Sequence, residues 1–264
     1  MCHDKLHLSI GCQFDLHHMD KILTSAEVEV SFYGAPPKFS LDGGRLVDGG
    51  QYQFDAAIPA LGARNVPLYL CCNSVASPDE VCIDEATWQM IEAVYAPGNG
   101  VIVARHWIAE EIRQRFPGFR FIFSSIGALT ETWDEAYLFN AYDVVVCPVN
   151  RTNDFSLVKD PLNWSKLEVF LNNECINFGP HCLGHYRYNS LVNSGKILRA
   201  TFQCPSIVKD SIAIGSIQPS YPDLLHYIQL GVRRFKVIER TAENQDFEVY
   251  IKCMQALAAE TGSN

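Results

Sequence analysis

From Gly100 onward the chain alternates short apolar runs with stretches of helical spacing. Gly100–Ala104 (GVIVA), Phe119–Ser124 (FRFIFS) and Asp143–Cys147 (DVVVC) read as strands, and Trp107–Phe116 and Thr132–Asn140 between them as helices. Upstream, Leu6–Gly11, the alternating Glu27–Tyr33 (EVEVSFY) and Pro67–Cys72 (PLYLCC) read as strands. The first is expected to run out into a polar loop holding Asp15, His17, His18 and Asp20. Lys38–Gln53, rich in Gly and Asp, reads as a loop, and Asp55–Leu61 as the start of a helix. Ser77-Pro78-Asp79-Glu80 supplies helix-start signals ahead of a helix within Asp84–Tyr95. Further on, Leu167, Val169 and Leu171 alternate with Glu168, Phe170 and Asn172 in another strand. Tyr221-Pro222 opens a helix that Gly231 caps, Arg234–Ile238 is a strand, and Thr241–Ala259 an amphipathic helix. Ser211–Gly215 is an extra short apolar run.

The main strands begin near residues 6, 27, 67, 100, 119, 143, 166 and 234, with a helix between most of them. That alternation fits a single (β/α)8 barrel over residues 1–264. A doubly wound open sheet is the alternative, although no GxGxxG turn follows the first strand. A barrel carries its active site at the C-terminal ends of its strands. Cys12, Cys71, Cys72, Cys147, Cys175, Asn73, Asn150, Arg151, Glu239 and Arg240 all fall at or just past such ends. His106 follows a strand end and is expected to face the same mouth.

Composition narrows the class. Hydrophobic residues make up 48% and charged residues 19%, as in ordinary globular proteins. A net charge of -9 argues against a broad basic face for nucleic acid, with Arg233, Arg234 and Lys236 a small local exception. The N-terminus lacks a signal-peptide pattern and no apolar run is long enough to span a bilayer, so a cytoplasmic protein is expected. Ten cysteines scattered through a chain of 264 residues favour buried thiols plus a metal site over a disulfide framework.

The densest chemistry lies in residues 173–205, which read as a metal-binding loop. Cys175 and Cys182 have six residues between them, among them Gly179-Pro180-His181, with His185 beyond and Cys204 following in FQCPS. Thiolates select zinc, copper(I) or an iron–sulfur cluster. Structural zinc sites usually use gaps of about two to four residues, which makes zinc the weaker alternative. A fourth ligand is open between Cys147, Cys12, Cys71, Cys72, His181 and His185, or the fourth position is left for a substrate. Arg151 and Arg240 suit an anionic substrate, or pair with Asp154 and Glu239. No HExxH helix and no GxSxG elbow is present.

The segment NNECINFGPHCLGHY resembles the Asn-Glu-x-Cys…Cys-Pro…His-Tyr segment of the collagenase-like peptidase family, which includes UbiU, UbiV and the RNA-hydroxylation relatives. SIQPSYPDLLHYIQLGVRRFKVIERT is similar to that family's Arg-Pro-Glu-Asp-Leu…Gly…Phe-Lys-Ile-x-Gly-Arg segment. FSSIGALTETWDEAYLFNAYDVVVCPVNRTND and PLYLCCNS fit its layout, so the resemblance runs from about residue 67 to 241. It implies a barrel and a [4Fe-4S] cluster on Cys175, Cys182 and Cys204, with Cys147 a possible fourth ligand. The family's usual fourth cysteine is replaced here by Pro222-Asp223-Leu224-Leu225, and its Gly-Arg by Glu239-Arg240.

The function expected from this resemblance is oxygen-independent hydroxylation, or related cluster-assisted chemistry, on a small molecule, nucleotide or peptide. Asn150, Arg151, Glu239 and Arg240 would line its pocket. A peptidase-type hydrolase and a non-catalytic iron–sulfur subunit working with a protein partner are the alternatives.

Overall fold

Eight parallel strands pair in chain order and close on themselves: β1 (His7–Gly11), β2 (Glu29–Gly34), β3 (Leu68–Cys72), β4 (Gly100–Val103), β5 (Arg120–Phe123), β6 (Val144–Val146), β7 (Leu167–Phe170) and β8 (Arg234–Val237). Closure is made by β8 pairing β1, with His7 opposite Arg234 and Ser9 opposite Lys236. This computed structural model describes residues 5–12, 14–44, 51–172, 180–200, 219–238 and 247–262. The (β/α)8 barrel expected from the alternation is the fold. The extra run Ser211–Gly215 lies outside the described residues.

The helices are α1 (Leu16–Ser25), α2 (Gln51–Gly62), α3 (Glu85–Val94), α4 (His106–Arg115), α5 (Glu135–Ala141), α6 (Pro180–Asn193), α7 (Tyr221–Leu230) and α8 (Phe247–Thr261). Local chemistry explains several boundaries. Ser220 and Asp223 form a reciprocal capping box on α7, and Gly231 ends it at φ 113°. Asp84, not Ser77, caps α3; Glu80 instead folds back to accept from the Ser77 backbone and hydroxyl.

Two stretches read as loops are helical. The Asp15 carboxylate accepts from the His17 and His18 backbone N–H groups, and Met19 and Ile22 bury one face, so the expected polar loop is α1. Much of the expected metal-binding loop is α6. Between β6 and β7 the outer helix is replaced by 3-10 turns at Val149–Arg151 and Pro161–Lys166. In that region Tyr227 of α7 packs on Phe155 and Trp164.

Hydrogen bonds between non-adjacent strands identify the side chains inside the barrel. The Ser9 hydroxyl on β1 donates to Glu168 on β7 at 2.6 Å, and Lys236 Nζ on β8 donates to the same carboxylate at 3.1 Å. His7 Nε2 meets Ser31 Oγ at 2.8 Å, and Ser31 meets Ser9 at 3.1 Å. Lys236 also lies 3.7 Å from the centre of the Tyr33 ring, whose hydroxyl donates to the Val237 carbonyl. With these residues inside, Leu8, Ile10, Leu167 and Val169 face the helices, each nearly solvent-free. Glu168 is 0% exposed, so the alternation in β7 separates two buried faces rather than a wet and a dry one.

Burial opposes ionisation of Glu168, but Lys236, Arg234 and the Ser9 hydroxyl together outweigh it and hold the carboxyl below its usual range. Removing one member leaves an uncompensated buried charge. Lys236→Met should therefore destabilise the protein by about 3–5 kcal/mol in urea unfolding. Glu168→Gln combined with Lys236→Met should lose less than the sum of the single variants.

Burial holds His7 below its ordinary value of 6.5, against the opposing effect of Glu29. The unfolded chain then takes up the proton first on acidification. The His7 contribution is complete above pH 6.5 and is lost as pH falls below it. Melting temperature should drop between about pH 7 and 5, and His7→Gln should flatten that drop.

Candidate active site at the barrel mouth

Helix α6 does not pack outside the barrel as a helix following β7 ordinarily would. Its contacts are with loops at the C-terminal ends of other strands, so it lies over that face. The Asn193 amide donates to the Asp42 carbonyl at 2.8 Å, and the Asn189 amide to the Gly44 carbonyl at 3.2 Å. The Val75 N–H donates to Ser190 Oγ at 3.1 Å, and Arg187 pairs with Glu80.

The loop beneath is shaped to let this helix approach. Gly43 donates its N–H to Asn73 Oδ1 at 3.1 Å. A Cβ on Gly43 would stand 2.6 Å from the Asn73 carbonyl oxygen and 2.8 Å from Ser190 Oγ, so only glycine admits the helix at this distance.

Cys182, in the first turn of α6, is 3% exposed. It forms a small apolar cluster with Val75, Ala104 and Ile126, and Leu129, Val149, Leu183 and Tyr186 pack against it. Those partners follow β3, β4, β5 and β6, so the thiol is turned toward the mouth. A soft thiol in a dry apolar wall at this face fits the donor chemistry of a thiolate-held cluster. Cys175 and Cys204, the other two expected ligands, lie outside the described residues. His181 is exposed, whereas His185 is half-buried, stacks on Tyr186, and is held below its usual value by burial.

Cys147 belongs to the main core, with Val149 packed against both its cluster and that of Cys182. Its thiol points to the Pro148 and Arg151 carbonyls at 3.6 and 3.5 Å, and burial pushes it up to about 12. Cys71 shares the inward face of Tyr69, whereas Cys72 faces the helices; both are buried. Among the described residues no group of three or more His, Cys, Asp or Glu side chains is placed to hold a metal.

Beside this wall, Val149, Asn150, Thr152, Asn153, Phe170, Asn172 and Pro219 enclose a cleft of about 160 Å³. Asn150 lines this cleft. Arg151 does not line the cleft; its guanidinium grips Asp154 at 2.7 and 3.0 Å, which compensates its charge. Glu239 and Arg240 lie outside the described residues. Asn172 accepts the Ile238 N–H at 2.7 Å and donates to Tyr250 at 3.1 Å, tying β7 to β8 and α8 while its amide lines the cleft.

His106 lies outside this site. It stacks on the outward Phe123, meets Tyr142 Oη at 2.7 Å and faces Glu131 at 3.8 Å in the helix layer.

Thr152, Asn153 and Asn172 carry no sequence signal that separates them from ordinary loop polars; only strand closure collects them. Gly43→Ala should cost about 1–3 kcal/mol by overpacking. It should also raise amide hydrogen exchange across 180–193, with little change in β1 to β5.

The sequence matches no family model and no curated protein. Among solved structures it is similar to the U32 peptidase Mk0906, with a TM-score of 0.56 and 10% identity, over 90% of this chain and 93% of that one. The likeness is therefore one of fold, shared along nearly the whole length of both chains.

Proposed function

We propose that the chain is an iron–sulfur barrel enzyme related to the collagenase-like peptidases, acting at the mouth beneath α6. The observation that carries this reading is the burial of Cys182 in an apolar wall at the strand C-termini, beside an amide-lined cleft. Cys175, Cys182 and Cys204 would hold a [4Fe-4S] cluster. When bound, such a cluster supplies one-electron or Lewis-acid chemistry.

The rest is the work of this chain's own side chains. Val75, Ala104 and Ile126 keep water from the thiol. Asn150, Asn153 and Asn172 offer amide donors and acceptors, and Thr152 a hydroxyl, with no charged side chain lining the cleft among the described residues. Such a lining suits a neutral hydrogen-bonding group, either a nucleobase edge or a peptide unit. Ligand pockets for whole small molecules run to about 300–1,000 Å³, so the cleft would seat one fragment of a substrate. Oxygen-independent hydroxylation of such a substrate is the reaction class the family resemblance favours.

Anaerobic purification followed by iron, sulfide and zinc analysis tests this directly. About four irons and four sulfides per chain are expected. Cys182→Ser should lose most of both while keeping the wild-type circular dichroism. Absence of iron after anaerobic reconstitution would sink the cluster assignment.

Peptide hydrolysis is the second reading, favoured by the amide lining and by the peptidase among its structural neighbours. It predicts turnover of peptides without metal and loss of that turnover on thiol alkylation.

A further inference from the structure

The opposite opening of the barrel gathers more hydrogen-bond donors than acceptors among the described residues. Arg120 begins β5, Arg234 begins β8, and Tyr69 is the second residue of β3. Arg120 Nη1 donates to Tyr69 Oη at 3.4 Å, and Arg234 Nη2 donates to the same oxygen at 3.5 Å. These strands are not neighbours, so the three groups meet inside the barrel. Gly100 lies between Tyr69 and Arg120 in register, so no side chain separates them.

The charges there are unbalanced. Both guanidinium nitrogens lie within 3.5 Å of one oxygen. The two cations are thus held within about 7 Å of each other, where like charges repel unless an anion intervenes. Among the described residues the nearby carboxylates are already engaged. Glu168 lies 3.9 Å from Arg234 Nε but is held closer by Ser9 and Lys236, and Glu29 faces His7 at 3.8 Å. Arg234 Nε is buried without a hydrogen-bond partner among the described residues. The Tyr69 hydroxyl, accepting from both arginines, has no acceptor for its own proton among them either.

We propose that the N-terminal opening of the barrel binds a small phosphate-type oxyanion through Arg120, Arg234 and Tyr69. Three donor groups from three strands match the several oxygens of a tetrahedral anion better than the two of a carboxylate, and arginine forks suit such oxygens. The site faces away from α6 and its cleft, and it stands or falls independently of any metal at the mouth.

Thermal melts titrated with inorganic phosphate at constant ionic strength and pH, with chloride as the balancing anion, test the assignment. The wild type should show a saturable rise in melting temperature. Arg120→Gln, an exposed position at a strand start, should melt no lower than the wild type without phosphate, since it relieves the repulsion from Arg234. Its phosphate midpoint should move up about tenfold or more. Tyr69→Phe should move it in the same direction. Arg64→Gln, which removes a guanidinium paired with Asp20 on the outer surface, should leave it unchanged. A response no larger than that to chloride, or an unchanged midpoint in Arg120→Gln, would overturn the proposal. Equal or stronger saturation by succinate would overturn the phosphate-type assignment.

Discussion

A carboxylate with no exposure to water sits inside this barrel, and much of the interior is arranged around it. Glu168 receives the Ser9 hydroxyl from β1 and the Lys236 ammonium from β8, and Arg234 adds a more distant charge. A lone carboxylate there would be prohibitive to desolvate; with these partners it is ionised and bonded. Because the bonds run between β7, β8 and β1, they join the strands where the sheet closes. Ser31 and His7 extend the network to β2, and Tyr33 shields the lysine with its ring. The lower barrel is thus built on polar contacts, where most barrels of this class rely on branched apolar layers.

The upper end follows a different rule. There the helix after β7 is drawn over the mouth by amide and hydroxyl contacts to the loops after β2 and β3. Gly43 makes the approach possible by lacking a side chain. One consequence is that Cys182, which in a loop would be wet, is dry. Another is that, among the described residues, the cleft beside it is lined by neutral side chains, since Arg151 is occupied by Asp154. The two ends differ in kind: an apolar, amide-lined mouth at one and converging arginines at the other.

Much of this was legible in order along the chain. Apolar runs such as Gly100–Ala104 and Phe119–Ser124 specify strands because a parallel barrel buries both faces of each one. The Tyr221-Pro222 and Gly231 signals marked α7 to the residue because capping is a local problem, and the structure adds Ser220 as its N-cap. Asp15 was an equally local cap, yet its helix was obscured by the polar His17, His18 and Asp20 around a narrow apolar stripe.

What the sequence by itself determined is therefore the number, order and kind of the strands, and a candidate thiol at the right end of the barrel. Those follow from backbone hydrogen bonding and burial, which act over a few residues at a time. Which polar residues meet was decided only by tertiary structure. Glu168 and Ser9 are separated by 159 positions, and Tyr69 and Arg234 by 165. No periodicity connects them; closure of β8 on β1 does. The same holds for α6, whose course across the mouth depends on Gly43 and on the backbone of Val75 in distant segments and not on its own amphipathic pattern.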